Sequence, residues 1–246
     1  PQLIIVDNNP FALLIAFKHK IRTIELLNPA SVAGQLILNK EHLNKKHLDI
    51  FAQLKNIFGY SFIKNFLKRK NRIFITSIPQ LEKEKFSKST YLGPLFWKGW
   101  YKFPHLNNIP YKKSVFFTFG SRSIDKKYLK KLKYLCLKNN WQLMYSQKLI
   151  NNQQSIRNAD LVICHGGHTT ILEALSAGVP LICLPQNEDQ KIASLIVNNT
   201  KTGLVLNNSN SLEQSISRLL TNSSYKKNCL KIQNQLYSFP TKSLKI

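Results

Sequence analysis

The chain is punctuated by short, unbroken apolar runs, and this spacing restricts its fold more than any other feature. Leu3–Val6, Ser114–Phe119, Leu161–Cys164 and Leu181–Leu184 are too short for ordinary helices and lack the alternation of strands with one wet face. Such runs are expected where a strand is covered on both sides, as in parallel sheets. Between them lie longer segments with helical periodicity: Phe11–Phe17, Asp125–Asn139, Thr169–Ala177 and Asp189–Asn198. Strands joined through helices pair in parallel, so the expected class is α/β.

The order of elements points to two domains. Leu3–Val6, the turn Asp7-Asn8-Asn9-Pro10, the helix Phe11–Phe17 and the strand Ile21–Leu27 form one strand–helix–strand unit. From Pro29 to about Lys70 the pattern is helical, and Arg72–Ser77 reads as a short strand closed by Pro79. A connection containing Thr90-Tyr91-Leu92-Gly93-Pro94 follows. Near Pro110 the strand–helix pattern restarts, which divides the 246 residues into domains 1–109 and 110–246. In the second, Trp141–Tyr145 and Leu204–Leu206 are further strands, and Ser146–Ala159 has room for one short helix. Gly178 is placed to stop the Thr169–Ala177 helix. Two polar-capped helices and a tail with Pro240 complete the pattern.

Charge is the compositional outlier, with 36 basic against 12 acidic side chains and a net +24. Such a field favours anionic partners. Thirty of the 36 are lysine, asparagine pairs recur, and the halves carry 19 basic with 6 acidic and 17 with 6. That even spread fits the coding bias of an AT-rich genome better than a dedicated patch. With no recognised nucleic-acid motif, no specific nucleic-acid partner is expected. Cys136, Cys164, Cys183 and Cys229 have no metal-ligand spacing and read as reduced core thiols of a cytosolic protein. No apolar stretch is long enough to span a bilayer as a helix. Pro1 leads straight into a strand without the pattern of a secretory leader, and a chain that opens this way is expected to be cut from something longer.

The chemistry concentrates in Cys164-His165-Gly166-Gly167-His168-Thr169-Thr170-Ile171-Leu172-Glu173, between a strand and a helix at the carboxyl edge of a parallel sheet. Open α/β sheets bind ligands at that edge. Gly166 and Gly167 are expected to let a ligand approach the backbone. Thr169 and Thr170 stand at a helix start, where unpaired N–H groups attract anions. Thr170 and Glu173 also have capping-box spacing, and Asp189-Gln190 reads equally as an ordinary helix start.

The longer run resembles the donor-binding signature of GT-B glycosyltransferases, in their UDP-glycosyltransferase and macrolide glycosyltransferase branch. The matching residues are His165-Gly166-Gly167, Thr170, Glu173-Ala174-Leu175, Ala177-Gly178-Val179-Pro180, Pro185, Asp189-Gln190, Ala193 and Gly203. Weaker likeness covers Ile4–Ile24, Tyr91–Pro94 and Ser114–Ser121. The resemblance implies two Rossmann-like domains with parallel sheets, the N-terminal one incomplete. It implies a nucleotide-sugar donor, with UDP as the expected nucleotide, and no tightly bound cofactor or metal. His165 would donate to the diphosphate, while Thr169, Thr170 and the N–H groups near Gly167 would hold the phosphates. Glu173 would accept from the ribose hydroxyls, and Asp189 and Gln190 would bind hydroxyls of the transferred sugar. Gly120 and Ser121 would approach the phosphates, or else form a plain strand-ending turn. No catalytic residue is assigned, because the acceptor-activating base belongs to the part expected to precede this chain.

The implied reaction is inverting displacement at the anomeric carbon, toward an unidentified lipid or small-molecule acceptor. This chain alone is expected to be an inactive fragment; the alternative is a non-catalytic nucleotide-sugar-binding subunit that needs a separate acceptor-binding chain. No DxD occurs, and Glu82-Lys83-Glu84 reads as a solvated linker. The sequence departs from the family in the short Ser146–Ala159 interval, which truncates the base pocket. Trp141 is expected in the core, and no catalytic role is expected of His168. The basic helix over Tyr60–Arg72 is a candidate contact with an anionic membrane, at the inner face of which a cytoplasmic protein would sit peripherally; its other reading is a core-facing helix with a solvated basic side. The aromatic stretch Leu95–Pro104 is expected to pack at the domain junction, its other reading being an interfacial belt.

Overall fold

The computed structural model describes residues 2–7, 10–27, 72–81, 89–94, 113–119, 126–145, 152–207 and 211–240. The helical reading over Pro29–Lys70, the segments 82–88 and 95–112, and the expected boundary at 109/110 lie outside them. So does the basic stretch from Tyr60, except its last member Arg72, which opens a strand. The chain divides into two compact units between Gly93 and Pro94.

The first unit contains β1 (Leu3–Asp7), α1 (Pro10–Lys18), β2 (Arg22–Leu27), β3 (Arg72–Ile75) and β4 (Ser89–Tyr91). Its four strands run parallel in the order β1-β2-β3-β4. The expected strand–helix–strand unit is present: Leu3 pairs with Arg22, and α1 buries Leu13, Leu14 and Ala16. Pro10 opens α1 at the position where a missing N–H costs no ladder bond. Two readings need correction. Leu3–Val6 was expected to be covered on both faces, but β1 ends the described sheet and Ile5 is 50% exposed. The other concerns Ser89–Tyr91, for which no strand was expected, yet they form β4; three residues are too few to show a period, and pairing with β3 decides the matter.

The second unit contains β5 (Lys113–Thr118), α2 (Lys126–Lys138), β6 (Trp141–Tyr145), α3 (Asn152–Arg157), β7 (Leu161–Cys164), α4 (His168–Ser176), β8 (Leu181–Cys183), α5 (Glu188–Asn199), β9 (Gly203–Val205), α6 (Leu212–Thr221) and α7 (Ser223–Ser238). These elements follow the apolar runs and helical segments of the sequence, with ends displaced by a residue or two. β7 and β8 are buried at every position, as expected of apolar runs in a parallel sheet. Trp141 packs against the core cluster around Val115, Phe117 and Leu161, as expected. All four cysteines are buried and free; burial pushes Cys136 up to about 11 and Cys229 to about 12, so both are inert thiols.

The strand order is β6-β5-β7-β8-β9, all parallel. From β5 the chain moves outward to β6, then returns past β5 to β7 and continues outward on the other side. The connections leaving β5 and β7 therefore diverge, and a crevice opens between their carboxyl ends. The opposite ends of the same two strands are pinned together. Asp160 accepts from the backbone N–H of Ser114 at 2.8 Å and from Lys113 Nζ at 3.3 Å. The Ser114 hydroxyl donates to the Asn158 carbonyl at 2.7 Å, and the Asp160 N–H donates to the Ser114 carbonyl at 2.8 Å. Behind the sheet α7 clamps α4, with Gln233 Nε2 donating to the Ser176 carbonyl at 2.7 Å. Gly178 adopts φ +69° just past α4, as its expected role as a stop requires.

Asp160→Ala leaves the buried Ser114 N–H without its acceptor and removes the Lys113 ion pair. We expect a loss of about 1–3 kcal/mol in urea unfolding, the usual cost of orphaning a buried donor, with Asp160→Asn retaining part of it. An unchanged midpoint would mean that the two strands hold their register without this contact.

Candidate functional site

The site is assembled on the loop between β7 and α4. Cys164 ends β7 opposite Cys183 of β8, with their sulfurs 4.0 Å apart, and the Gly166 N–H donates to Cys164 Sγ at 3.4 Å. Gly166 has φ +82°, and a Cβ there would collide with Ser194 Oγ and stand 3.1 Å from the Gln190 carbonyl oxygen. Gly166 is thus required because α5 closes onto the loop. A Cβ on Gly167 would lie 2.6 Å from His165 Nε2, so that glycine leaves room for the imidazole. Both glycines also have a packing role, since the space of each missing Cβ borders protein atoms. His165 is half-buried and meets Phe119 edge-on, ring centroids 6.1 Å apart at 83°. Phe119 follows β5, so this contact crosses the crevice between the ends of β5 and β7.

The start of α4 presents donors without an acceptor among the described residues. Gly167 is its N-cap with no side-chain cap, and the first ladder bond runs from the Ile171 N–H to the Gly167 carbonyl at 3.0 Å. The N–H groups of His168, Thr169 and Thr170 precede that bond and have no acceptor within the helix. This corrects the capping-box reading: Thr170 is the third helical residue and Glu173 the sixth, too far along to reach back to the cap. Thr169 is exposed and Thr170 half-buried. One turn further, Glu173 is half-buried and accepts a hydrogen bond from Gln153 of α3. Burial raises its carboxyl above the usual range, and the Gln153 bond opposes that rise.

The start of α5 has the opposite character. Asn187 is the N-cap, accepting from the Gln190 N–H at 3.0 Å, so Asp189 and Gln190 are not themselves the cap. Asp189 is exposed beside Glu188 in the first turn. Gln190 is buried, and its Oε1 accepts from the Gln186 N–H at 2.7 Å. Of the two helix starts at this edge, α4 offers bare donors with no acid in its first turn, while α5 is capped and acidic. An anion is favoured at the first, and hydroxyl donors at the second.

The structure therefore brings His165, Gly166, Gly167, Thr169, Thr170 and Glu173 together on one loop and helix. It places Asp189 and Gln190 beside them through the contact of Gly166 with α5. Gly120 and Ser121 lie outside the described residues. Sequence reasoning missed Gln153, Ser194 and Asn187. Asn187 directly before two acids was a legible N-cap. Gln153 and Ser194 carry no local signal, because their partners come from another element or another turn.

His168, the first residue of α4, has a buried Nε2 without a partner among the described residues, and burial lowers its pKa to about 4. The folded chain thus keeps this imidazole neutral where an unfolded one binds a proton, near pH 6.5. Its contribution to stability is complete above that pH and is lost as the pH falls toward 4, up to about 3 kcal/mol. The raised carboxyl of Glu173 acts in the other sense, since its cost in the fold is relieved by protonation. We expect His168→Phe to flatten the decline in unfolding free energy between pH 6.5 and 4 relative to wild type; parallel curves would refute the assignment.

Residues 105–240 match the model of the glycosyltransferase family 28 C-terminal domain, which spans both helix starts and the crevice. A UDP-glucuronosyltransferase of Caenorhabditis briggsae is 36% identical over 84 residues, 32% of this chain and only 16% of that protein's length. The solved calicheamicin glycosyltransferase CalG4 superposes with TM-score 0.72 at 16% identity, over 97% of this chain and 70% of its own. The spinosyn rhamnosyltransferase SpnG, solved with thymidine diphosphate, gives TM-score 0.64 at 13% identity, over 98% and 70%. These likenesses establish the α/β fold of GT-B glycosyltransferases, with its parallel sheets. More than half of the chain matches one family model, and the chain belongs to glycosyltransferase family 28 through its C-terminal domain.

Proposed function

We propose that the second unit binds the donor of a sugar-transfer reaction, a nucleoside diphosphate sugar with UDP as the preferred nucleotide. The observation that carries this reading is the uncapped start of α4 at the crevice between β5 and β7, with His165 beside it. A diphosphate placed there would accept hydrogen bonds from the N–H groups of His168, Thr169 and Thr170 and from the Thr169 and Thr170 hydroxyls. His165 would supply a further donor from the neighbouring strand end. These groups are fixed before the ligand arrives and face the position where negative charge grows as the sugar–phosphate bond breaks. The family then supplies the reaction: transfer of the sugar from the diphosphate to an acceptor hydroxyl or other nucleophile.

Glu173, one turn along α4, would accept from the ribose hydroxyls once the nucleotide displaces or joins the Gln153 contact. Asp189, exposed on the acidic start of α5, would accept from hydroxyls of the transferred sugar. The engaged oxygen of Gln190 leaves the amide N–H groups as the part of that side chain suited to a ligand. UDP is preferred on the likeness to the Caenorhabditis protein named for UDP-glucuronate, and SpnG carries thymidine diphosphate in its solved complex. The chemistry common to both is a pyrimidine nucleoside diphosphate. The acceptor is the substrate of the whole enzyme, and displacement with inversion is the outcome we assign to it.

Calorimetric titration of the chain with UDP, thymidine diphosphate and UDP-sugars tests this reading. Wild type is expected to bind, UDP more tightly than thymidine diphosphate. His165→Ala and Glu173→Ala each remove a hydrogen bond to or from a charged group, and each should weaken UDP binding roughly ten- to a hundredfold. Absence of any nucleotide binding by the folded wild-type chain would overturn the proposal, as would binding indifferent to both substitutions.

A further inference from the structure

Helix α2 carries six lysines and no acidic residue in thirteen positions. Leu132, Leu135 and Cys136 are buried on its inner side. On the outer side Leu137 is 84% exposed and Tyr134 64%, the two most exposed large apolar side chains among the described residues. They are three positions apart and so share a face. With about 100° between successive residues, Lys130 projects between them, Lys126 and Lys133 flank Leu137, and Lys127 and Lys138 flank Tyr134. All five of these lysines are exposed. Lys133 lies over the Tyr145 ring at 5.2 Å, and Lys138 meets Glu213 of α6 at 3.0 Å, so the cations at both margins are laid along the protein.

The face thus carries an apolar pair in the last turn of the helix, with cations along the length that precedes it and at both margins. A single exposed leucine needs no explanation, but a leucine and a tyrosine on one face of a lysine-rich helix without acidic residues suit a layered partner. Phosphates would satisfy the lysines in either a nucleic acid or a lipid surface. Leu137 separates the two, since a branched alkyl group gains nothing from the phosphates of a nucleic-acid backbone. It gains when it enters the layer below charged headgroups, where the tyrosine ring and the lysine stems also fit. No helix among the described residues is long and apolar enough to cross a membrane, so the contact would be peripheral.

We propose that the outer face of α2 is a docking surface for an anionic lipid bilayer, with Leu137 and Tyr134 seated below the headgroups and Lys126, Lys130 and Lys133 directed to their phosphates. This assignment is independent of the donor site and of the charge of the chain as a whole.

The test is co-sedimentation of the full chain with vesicles of phosphatidylcholine alone and with one part phosphatidylglycerol to three parts phosphatidylcholine. Because every substituted residue is exposed, equal circular dichroism and unfolding midpoints verify that the variants remain folded. Wild type is expected to bind only the anionic vesicles. Lys126→Gln/Lys130→Gln/Lys133→Gln should lower partitioning roughly fivefold per lysine, the effect of about 1 kcal/mol each. Tyr134→Ser/Leu137→Ser, at unchanged charge, should lower it by roughly tenfold or more. The proposal fails if wild type ignores anionic vesicles, or if the serine pair binds them as wild type does, which would leave adsorption by charge alone. It also fails if the lysine variant is unaffected, which would put the contact elsewhere in the chain. Salt-sensitive binding to duplex DNA that exceeds vesicle binding and is untouched by the serine pair would assign the face to nucleic acid instead.

Discussion

The parallel pairing of β5 with β7 is the contact on which the rest of the second unit depends. The two strands are far apart in sequence and are separated by a helix, a strand and a further short helix. Their entry ends are joined by Asp160, Ser114 and Asn158 through backbone and side-chain hydrogen bonds at once. With that register fixed, Thr118 pairs with Cys164, and Phe119 and His165 emerge side by side at the other end. Shifting the pairing by one residue would turn the side chains of β7 to the wrong face of a sheet covered on both sides. The crevice exists because this pair is where the chain reverses its direction of travel through the sheet.

Around that crevice, two helix starts are given different chemistry by small local choices. The first turn of α4 is led by glycine and contains no acid, and its donors have no acceptor among the described residues. At α5, the Asn187 side chain occupies the equivalent position and two acids follow, so that end is already satisfied. The loop leading into α4 is closely packed: Gly166 lies against Ser194 and the backbone of α5, and Cys164 faces Cys183 beneath it. Rigid placement matters for an anion site, because donors that need no rearrangement lose less on binding. Gly166 is at the same time the condition for close packing of α5 against the loop.

The sequence was most legible where apolar runs were bounded by glycine, proline or a polar cap. The strands β5 to β9 and the helices between them fall within a residue or two of their expected positions, since burial on both faces leaves a continuous apolar mark. Legibility failed where local signals were either too short or shared by two explanations. Residues 89–91 have no period to read. The spacing of Thr170 and Glu173 satisfies a capping box on paper, yet the helix begins at His168 because Gly167 ends the turn. Ile5 belongs to an apolar run but lies in a strand at the end of its described sheet, and no sequence pattern reports which strand is outermost.

Already legible in the residues were the class of fold, the order of elements, the loop and helix that carry His165, Thr169, Thr170 and Glu173, and the family resemblance of that segment. These are local properties, fixed by side-chain periodicity and by the backbone demands of glycine and proline within a few residues. Tertiary structure alone decided that β7 would lie against β5, that His165 would meet Phe119, that Gln153 would hold Glu173, and that Leu137 and Tyr134 would remain outside. Each of these is a contact, or an absence of contact, between segments that do not specify one another locally. Only the free energy of closing the whole core selects among the pairings that local preference allows.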